Sequence, residues 1–164
     1  MKVTHVITRL GRGGTDQNVL HFVDWQRRHG HDPRLVVGED SDTASVPPWL
    51  PLEVLPTLVR DPQPVADLRA VRGLRRLLAR DEPDVVHTHQ SKAGILGRLA
   101  AVGRGALVVH TVHMASFGPS YGRSSAAFRV SERVCAPMTD VIVTVGEDLR
   151  RRYLQSGIGR PEQY

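Results

Sequence analysis

The stretch VTHVITRLGRGGTDQNVLHFV, Val3 to Val23, decides the fold. Val3 to Thr8 is a short run rich in β-branched residues, the pattern of a buried strand. Gly11-Arg12-Gly13-Gly14 breaks it, and Thr15 stands where a helix N-cap belongs. Val19, Phe22 and Val23 then repeat at i, i+3 and i+4, predicting a helix that ends at Arg27-Arg28-His29 with Gly30 as its stop. Strand, glycine turn and helix form one βα step, and the rest of the chain repeats it. Strands are predicted at Leu35–Val37, Leu52–Leu55, Asp84–His89, Leu107–His113 and Val141–Val145. Helices are predicted at Val65–Arg80, Lys92–Ala101, Ala126–Ala136 and Glu147–Gln155. In the helix before Pro83, Val65, Leu68, Val71, Leu74 and Leu78 form the expected apolar face, with Arg69, Arg72, Arg76 and Arg80 on another. Six of the 11 prolines fall between Pro47 and Pro64, leaving room there for one short strand. Six alternating steps predict a doubly wound, mainly parallel, Rossmann-like sheet in a three-layer α/β/α arrangement, with strand order 3-2-1-4-5-6. That order opens a crevice at the carboxyl ends of strands one and four.

The 164 residues suit one domain, and the 40% hydrophobic share allows a sizeable core. The 22 basic residues, 20 of them arginine, outnumber 17 acidic ones for a net charge of +5. Spread along the chain, this surplus is weaker than the concentrated basic face of a nucleic-acid binder. The arginines of the predicted helices are expected to be solvated, with contact to an anionic membrane surface as the sharper option. A single cysteine, Cys135, forbids an internal disulfide and a thiolate zinc cluster, so a reducing, cytoplasmic setting is expected. No secretion signal and no apolar window long enough to span a bilayer is present in the sequence.

The topology places three stretches at the crevice. Gly13-Gly14 can bring backbone N–H groups and a positive helix end to a phosphate; the alternative is a tight turn needing positive φ. Position 16 is Asp where a dinucleotide fingerprint needs Gly, and no Gly-Lys-Ser/Thr follows the turn, so nicotinamide, flavin and ATPase readings lose their motif. His87-Thr88-His89 puts two imidazoles on one strand face, with His110 and His113 on the next strand. No carboxylate or thiol adjoins them as a third ligand, so no metal is expected. His87 and His110 suit core positions hydrogen-bonded to backbone, whereas His89 and His113, nearest the strand ends, suit substrate contact. Ser91 and Lys92 follow at a helix start, as sugar or phosphate contacts or as an N-cap and a solvated lysine. No G-x-S-x-G elbow supports hydrolase chemistry.

In order along the chain, HVITRLGRGGTDQNVL, PDVVHTHQSKAGILGRLAA, VVHTVHMASF, Glu132-Arg133, TDVIVTVGEDL and GIGRPEQY resemble the N-terminal, acceptor-side Rossmann-like domain of family-4 glycosyltransferases of the GT-B class. The resemblance covers essentially the whole chain. It implies a bacterial-type, hexosyltransferase-like retaining enzyme that moves a sugar from a nucleotide-diphosphate-sugar to a sugar, lipid or small-molecule hydroxyl, without a metal. It implies Gly13 and Gly14 at the donor diphosphate, Thr15 beside them as a further substrate-binding residue, and His113 as the catalytic residue at the transferred sugar. It places His89, Ser91 and Lys92 on the acceptor side and gives Glu132 a structural role. Two motifs depart from the family pattern: Gly-Gly-Thr-Asp replaces Gly-Gly-Ala-Glu, and Gly146 replaces a serine after the sixth strand. The family's second, donor-binding domain is expected in cis or in trans, and residues 1–164 alone are expected not to transfer sugar. A non-catalytic sugar- or phosphate-binding module is the rival reading.

Overall fold

The computed structural model describes residues 1–118, 122 and 124–164. Six parallel strands, β1 (Lys2–Ile7), β2 (Asp32–Gly38), β3 (Leu52–Leu55), β4 (Val85–His89), β5 (Leu107–Val112) and β6 (Val141–Thr144), form one sheet. The strand order is β3-β2-β1-β4-β5-β6, the doubly wound order the alternation predicts. Five helices accompany it: α1 (Gly14–Arg28), α2 (Pro64–Asp81), α3 (Ser91–Ala101), α4 (Ser124–Cys135) and α5 (Glu147–Gln155). Residues 119–121 and 123, within the Gly/Ser-rich stretch from Met114 to Ser125 whose composition reads as a loop, lie outside the described residues. Among the described residues no helix is long and apolar enough to cross a membrane.

Strand parity sorts the core. Val6, Val36, Val86 and Val108 point to the face covered by α2 and α3, where Ala70, Leu74, Leu78, Ala93 and Ala100 meet them. Ile7, Leu35 and Val37 pack against Val19 and Val23 of α1 on the other face. A third cluster, with Val112, Ile142, Tyr153 and Ile158, closes the β6 edge under α5. The expected face of α2 is corrected at its start. Val65 and Leu68 are exposed and the buried stripe begins at Ala70, because the first turns of α2 run past the layer of side chains that receives Leu74 and Leu78. Phe22 is likewise partly exposed, at the rim of a groove beside α1.

Two helix starts differ from expectation. The N-cap of α1 is Gly13, not Thr15, because Asp16 turns back and its Oδ2 accepts from Gly13 N at 2.9 Å. The N-cap of α3 is Gln90, with Ser91 inside the first turn. Gln90 holds a left-handed φ of 61° and its side-chain amide bonds both N–H and C=O of Arg9, at 3.3 and 3.0 Å. A strained residue at this point is paid for by a clamp that ties the carboxyl end of β1 to that of β4. Between α3 and α4, Arg98 and Glu132 are fully buried and paired at 2.6 Å, which gives Glu132 the structural place expected of it.

Candidate functional site at the carboxyl ends of β1, β4 and β5

The turn after β1, the α3 start after β4 and the segment after β5 meet around two grooves. One, of about 710 Å³, is lined by Asp16, Ser91, Lys92 and His113 together with Arg9 and Arg60, and is cationic at its rim. The other, of about 1080 Å³, runs along α1 past Gly14, Phe22, Trp25 and His87 and is largely apolar. Thr15 and His113 line both. The structure therefore brings together at the grooves five of the seven residues singled out from sequence, Gly14, Thr15, Ser91, Lys92 and His113, with Gly13 just before them at the start of α1 and His89 behind.

Gly13 has φ −85° and neither it nor Gly14 lies in the left-handed region, so the turn does not require glycine for its conformation. A Cβ on Gly14 would meet no atom of the chain within 4 Å. Packing does not require glycine there either. What glycine leaves is open access to the first turn of α1, where the Gly14 and Thr15 N–H groups precede the first carbonyl bonds, made by Asp16 N and Gln17 N to Gly13 O.

His113 is half-buried at the junction of the grooves. Partial burial pushes its pKa down while the Asp16 carboxylate opposes that shift, so it is a neutral imidazole at neutral pH. Ser91 Oγ bonds Ser116 Oγ across the polar groove. Lys92 is not a solvated lysine: its Nζ lies 2.7 Å from Asp67 Oδ1 as an ion pair and donates to the Asp61 carbonyl, with the side chain only 10% exposed. The ammonium faces the groove already neutralised.

His89 is corrected. It is fully buried, and both its ring nitrogens are engaged, with His5 Nδ1 at 3.0 Å and His113 Nε2 at 3.4 Å. It reaches the crevice through His113 and not by direct contact. His87 and His110 are core histidines as expected: His87 Nε2 lies 2.7 Å from Thr111 Oγ1, and His110 Nδ1 lies 2.9 Å from Thr88 Oγ1, with a hydrogen bond to the Thr88 backbone beside it. Burial lowers all four strand histidines, His5 to about 4, His87 to about 2, and His89 and His110 well below the usual value.

The sequence reading missed His5 and Gln26. His5 sits opposite His87 in the parallel register of β1 and β4, and Gln26 Oε1 is 2.8 Å from His5 Nε2. His5, His87 and His89 offer ring nitrogens within 4.8 Å of one another, the grouping among the described residues that could be asked to hold a metal. In the structure His5 Nδ1 and His89 Nε2 are 3.0 Å apart, the distance of a hydrogen bond between the two rings. Their remaining nitrogens serve Gln26, Thr111 and His113.

A Rossmann-like layer whose open helix start lies beside a histidine defines an α/β domain with a crevice at its strand ends, and sequence comparison gives its family. The chain belongs to the Glycosyl transferase 4-like domain family, which matches residues 13–164. Over 64 residues, 38% of this chain and 16% of the relative, it is 47% identical to the UDP-Gal:alpha-D-GlcNAc-diphosphoundecaprenol alpha-1,3-galactosyltransferase of Escherichia coli. Its fold matches sucrose-phosphate synthase of Thermosynechococcus elongatus with TM-score 0.77 at 14% identity, covering 99% of this chain and 46% of that one. It also matches Anabaena Alr3699/HepE, solved with UDP-glucose, with TM-score 0.67 at 17% identity, covering 99% and 42%. The chain thus spans less than half the length of each of these proteins.

Proposed function

We propose that this domain is the acceptor-side half of a retaining, hexosyltransferase-like enzyme that transfers a sugar from a nucleotide-diphosphate-sugar to an acceptor hydroxyl. The observation that carries the reading is Gly14: neither backbone conformation nor packing asks for glycine, yet the absent side chain keeps the N-terminus of α1 open beside His113. In this reading the α1 dipole and its free N–H groups offset charge that grows on the leaving diphosphate. His113, neutral and at the groove junction, bonds the transferred sugar and holds it in line for attack. Ser91 and Ser116 lie on the acceptor side, and the rim arginines Arg9 and Arg60 favour an acceptor that carries negative charge, such as a phosphate-linked sugar. Lys92 orders this wall through Asp67 and Asp61. The residues described require no metal for these roles, and a second Rossmann-like domain, in cis or in trans, supplies the other side of the donor site. The domain is proposed to act in the cytoplasm.

The test is calorimetric titration and turnover with UDP-galactose, UDP-glucose and a GDP-sugar. The chain alone is expected to give no turnover, and together with a donor-binding domain it is expected to bind donor and transfer sugar. Turnover by residues 1–164 alone overturns the two-domain reading. Donor binding with both domains present but undiminished in Gly14→Val overturns the role given to the open helix start.

A further inference from the structure

Of the histidines, only His113 enters the proposed transfer, but three side chains behind it, each in contact with the next, lead from α1 into the crevice. Gln26 Oε1 is 2.8 Å from His5 Nε2, His5 Nδ1 is 3.0 Å from His89 Nε2, and His89 Nδ1 is 3.4 Å from His113 Nε2. His5 and His89 are fully buried, so neither ring can trade these partners for water. The lowered pKa values keep the rings neutral, with one N–H and one lone pair each.

We propose that Gln26, His5 and His89 form a directional relay that fixes His113 as the Nε2–H tautomer and presents its Nδ1 to the crevice as a hydrogen-bond acceptor only. A carboxamide oxygen accepts and cannot donate, so His5 Nε2 must carry the proton. His5 Nδ1 is then a lone pair, which obliges His89 Nε2 to donate. His89 Nδ1 is in turn a lone pair, which obliges His113 Nε2 to donate. Each ring transmits the choice because a neutral imidazole has one donor and one acceptor on opposite sides. No proton is transferred; what passes along the relay is the assignment of donors. Turning the Gln26 amide so that its NH₂ faced His5 would reverse every bond and leave His113 Nδ1–H as a donor. Gln26, His5 and His89 are therefore positioning residues, and Gln26 sets the polarity of a site from which two rings separate it.

The consequence for substrate rests on the proposed contact between His113 and the transferred sugar. An acceptor-only nitrogen takes a bond from a sugar hydroxyl and has nothing to offer a carboxylate or carbonyl oxygen at the same place. The site would favour a sugar with a free hydroxyl there over the matching uronic acid.

Histidine-labelled residues 1–164, observed by long-range ¹H–¹⁵N correlation near neutral pH, report the tautomer of each ring without any substrate. His5, His89 and His113 are expected as Nε2–H, with His113 favouring that form by about tenfold, the ratio one net hydrogen bond supports. Gln26→Glu, which keeps an acceptor facing His5, is expected to preserve the pattern. Gln26→Leu, at a partly exposed position on α1, is expected to bring His113 to within about threefold of equal tautomers, while the other amide signals show the fold intact. An Nδ1–H tautomer at His113 in the unaltered chain overturns the relay direction, and an unchanged His113 in Gln26→Leu overturns the role of Gln26. Added zinc that binds tightly and displaces the His5, His87 and His89 signals overturns the relay in favour of a metal site. If the tautomers are as expected but a UDP-sugar leaves His113 unmoved when the donor domain is present, the sugar contact fails and the relay stands.

Discussion

Acid should unfold this domain through its histidines before its carboxylates begin to titrate. His5, His87, His89 and His110 are nine-tenths or more buried and held neutral by desolvation, with folded pKa values well below the ordinary 6.5. A base whose folded pKa is depressed contributes stability that is present above its unfolded pKa and lost as pH falls toward its folded one. The window thus opens near pH 6.5 and, for His5, closes near pH 4. At about pH 5.5 each unfolded histidine gains about 1.4 kcal/mol by protonation that the native ring cannot match. Four such rings lose the fold about 5 kcal/mol relative to about pH 7.5, comparable to the whole stability of a small domain. Asp42 and Asp81, held low by Arg12 and Arg80, act in the same sense but only below the usual carboxylate range, so they do not blur this window. The assay is urea unfolding at about half-unit steps between about pH 7.5 and 5, where the slope of stability against pH counts protons taken up. Close to four are expected at the acid end, and about one fewer in His110→Asn. Salt of about 0.5 M screens the repulsion among surface arginines but not the burial of rings, so the slope should persist in it. A slope of one proton or less would refute the neutral, buried state assigned to these rings.

Three further outcomes follow from particular contacts. Arg98→Met strands the buried Glu132 carboxylate and should cost about 3–5 kcal/mol, lowering Tm by about 10 °C, while the Arg98→Met/Glu132→Leu double variant recovers most of it; additive losses in calorimetric melts would show the pair to be uncoupled. Gly94 lets α3 ride on the His110 ring, and a Cβ there would overlap Cε1 and sit 2.9 Å from Nδ1. Gly94→Ala should therefore destabilise by about 1–3 kcal/mol and shift the His110 and Thr88 resonances; an unshifted His110 would contradict the packing. Asp16→Asn removes the charge that raises His113, so the His113 pKa should fall further in an NMR titration, and a rise would show that Asp16 is not the dominant charge beside it.

The fold was legible because its signals are local. Every strand but β3 carries its own run of β-branched residues, and the strand order follows from the alternation and the handedness of βα crossovers. Where local pattern misled, a neighbour was responsible: Asp16 takes the capping role from Thr15, Asp67 and Asp61 take Lys92 out of solvent, and the first turns of α2 outrun the side chains that bury the rest of its stripe. The site was legible only to the depth of one side chain. His113 ends a strand and so stands out, and His89 shares its motif. Nothing in the spacing tells that His89 faces inward to His5, because that depends on a register between β1 and β4 set 84 residues apart. Gln26 is harder still, being one polar residue among several on α1, and its meaning arises only from which of its two amide ends meets His5. Strand parity could have offered one clue: His5, His87 and His89 share a sheet face in adjacent strands, and three imidazoles cannot sit together in a core unless their donors and acceptors are matched. That requirement for matching, more than the motif itself, ties α1 to the chemistry of the crevice.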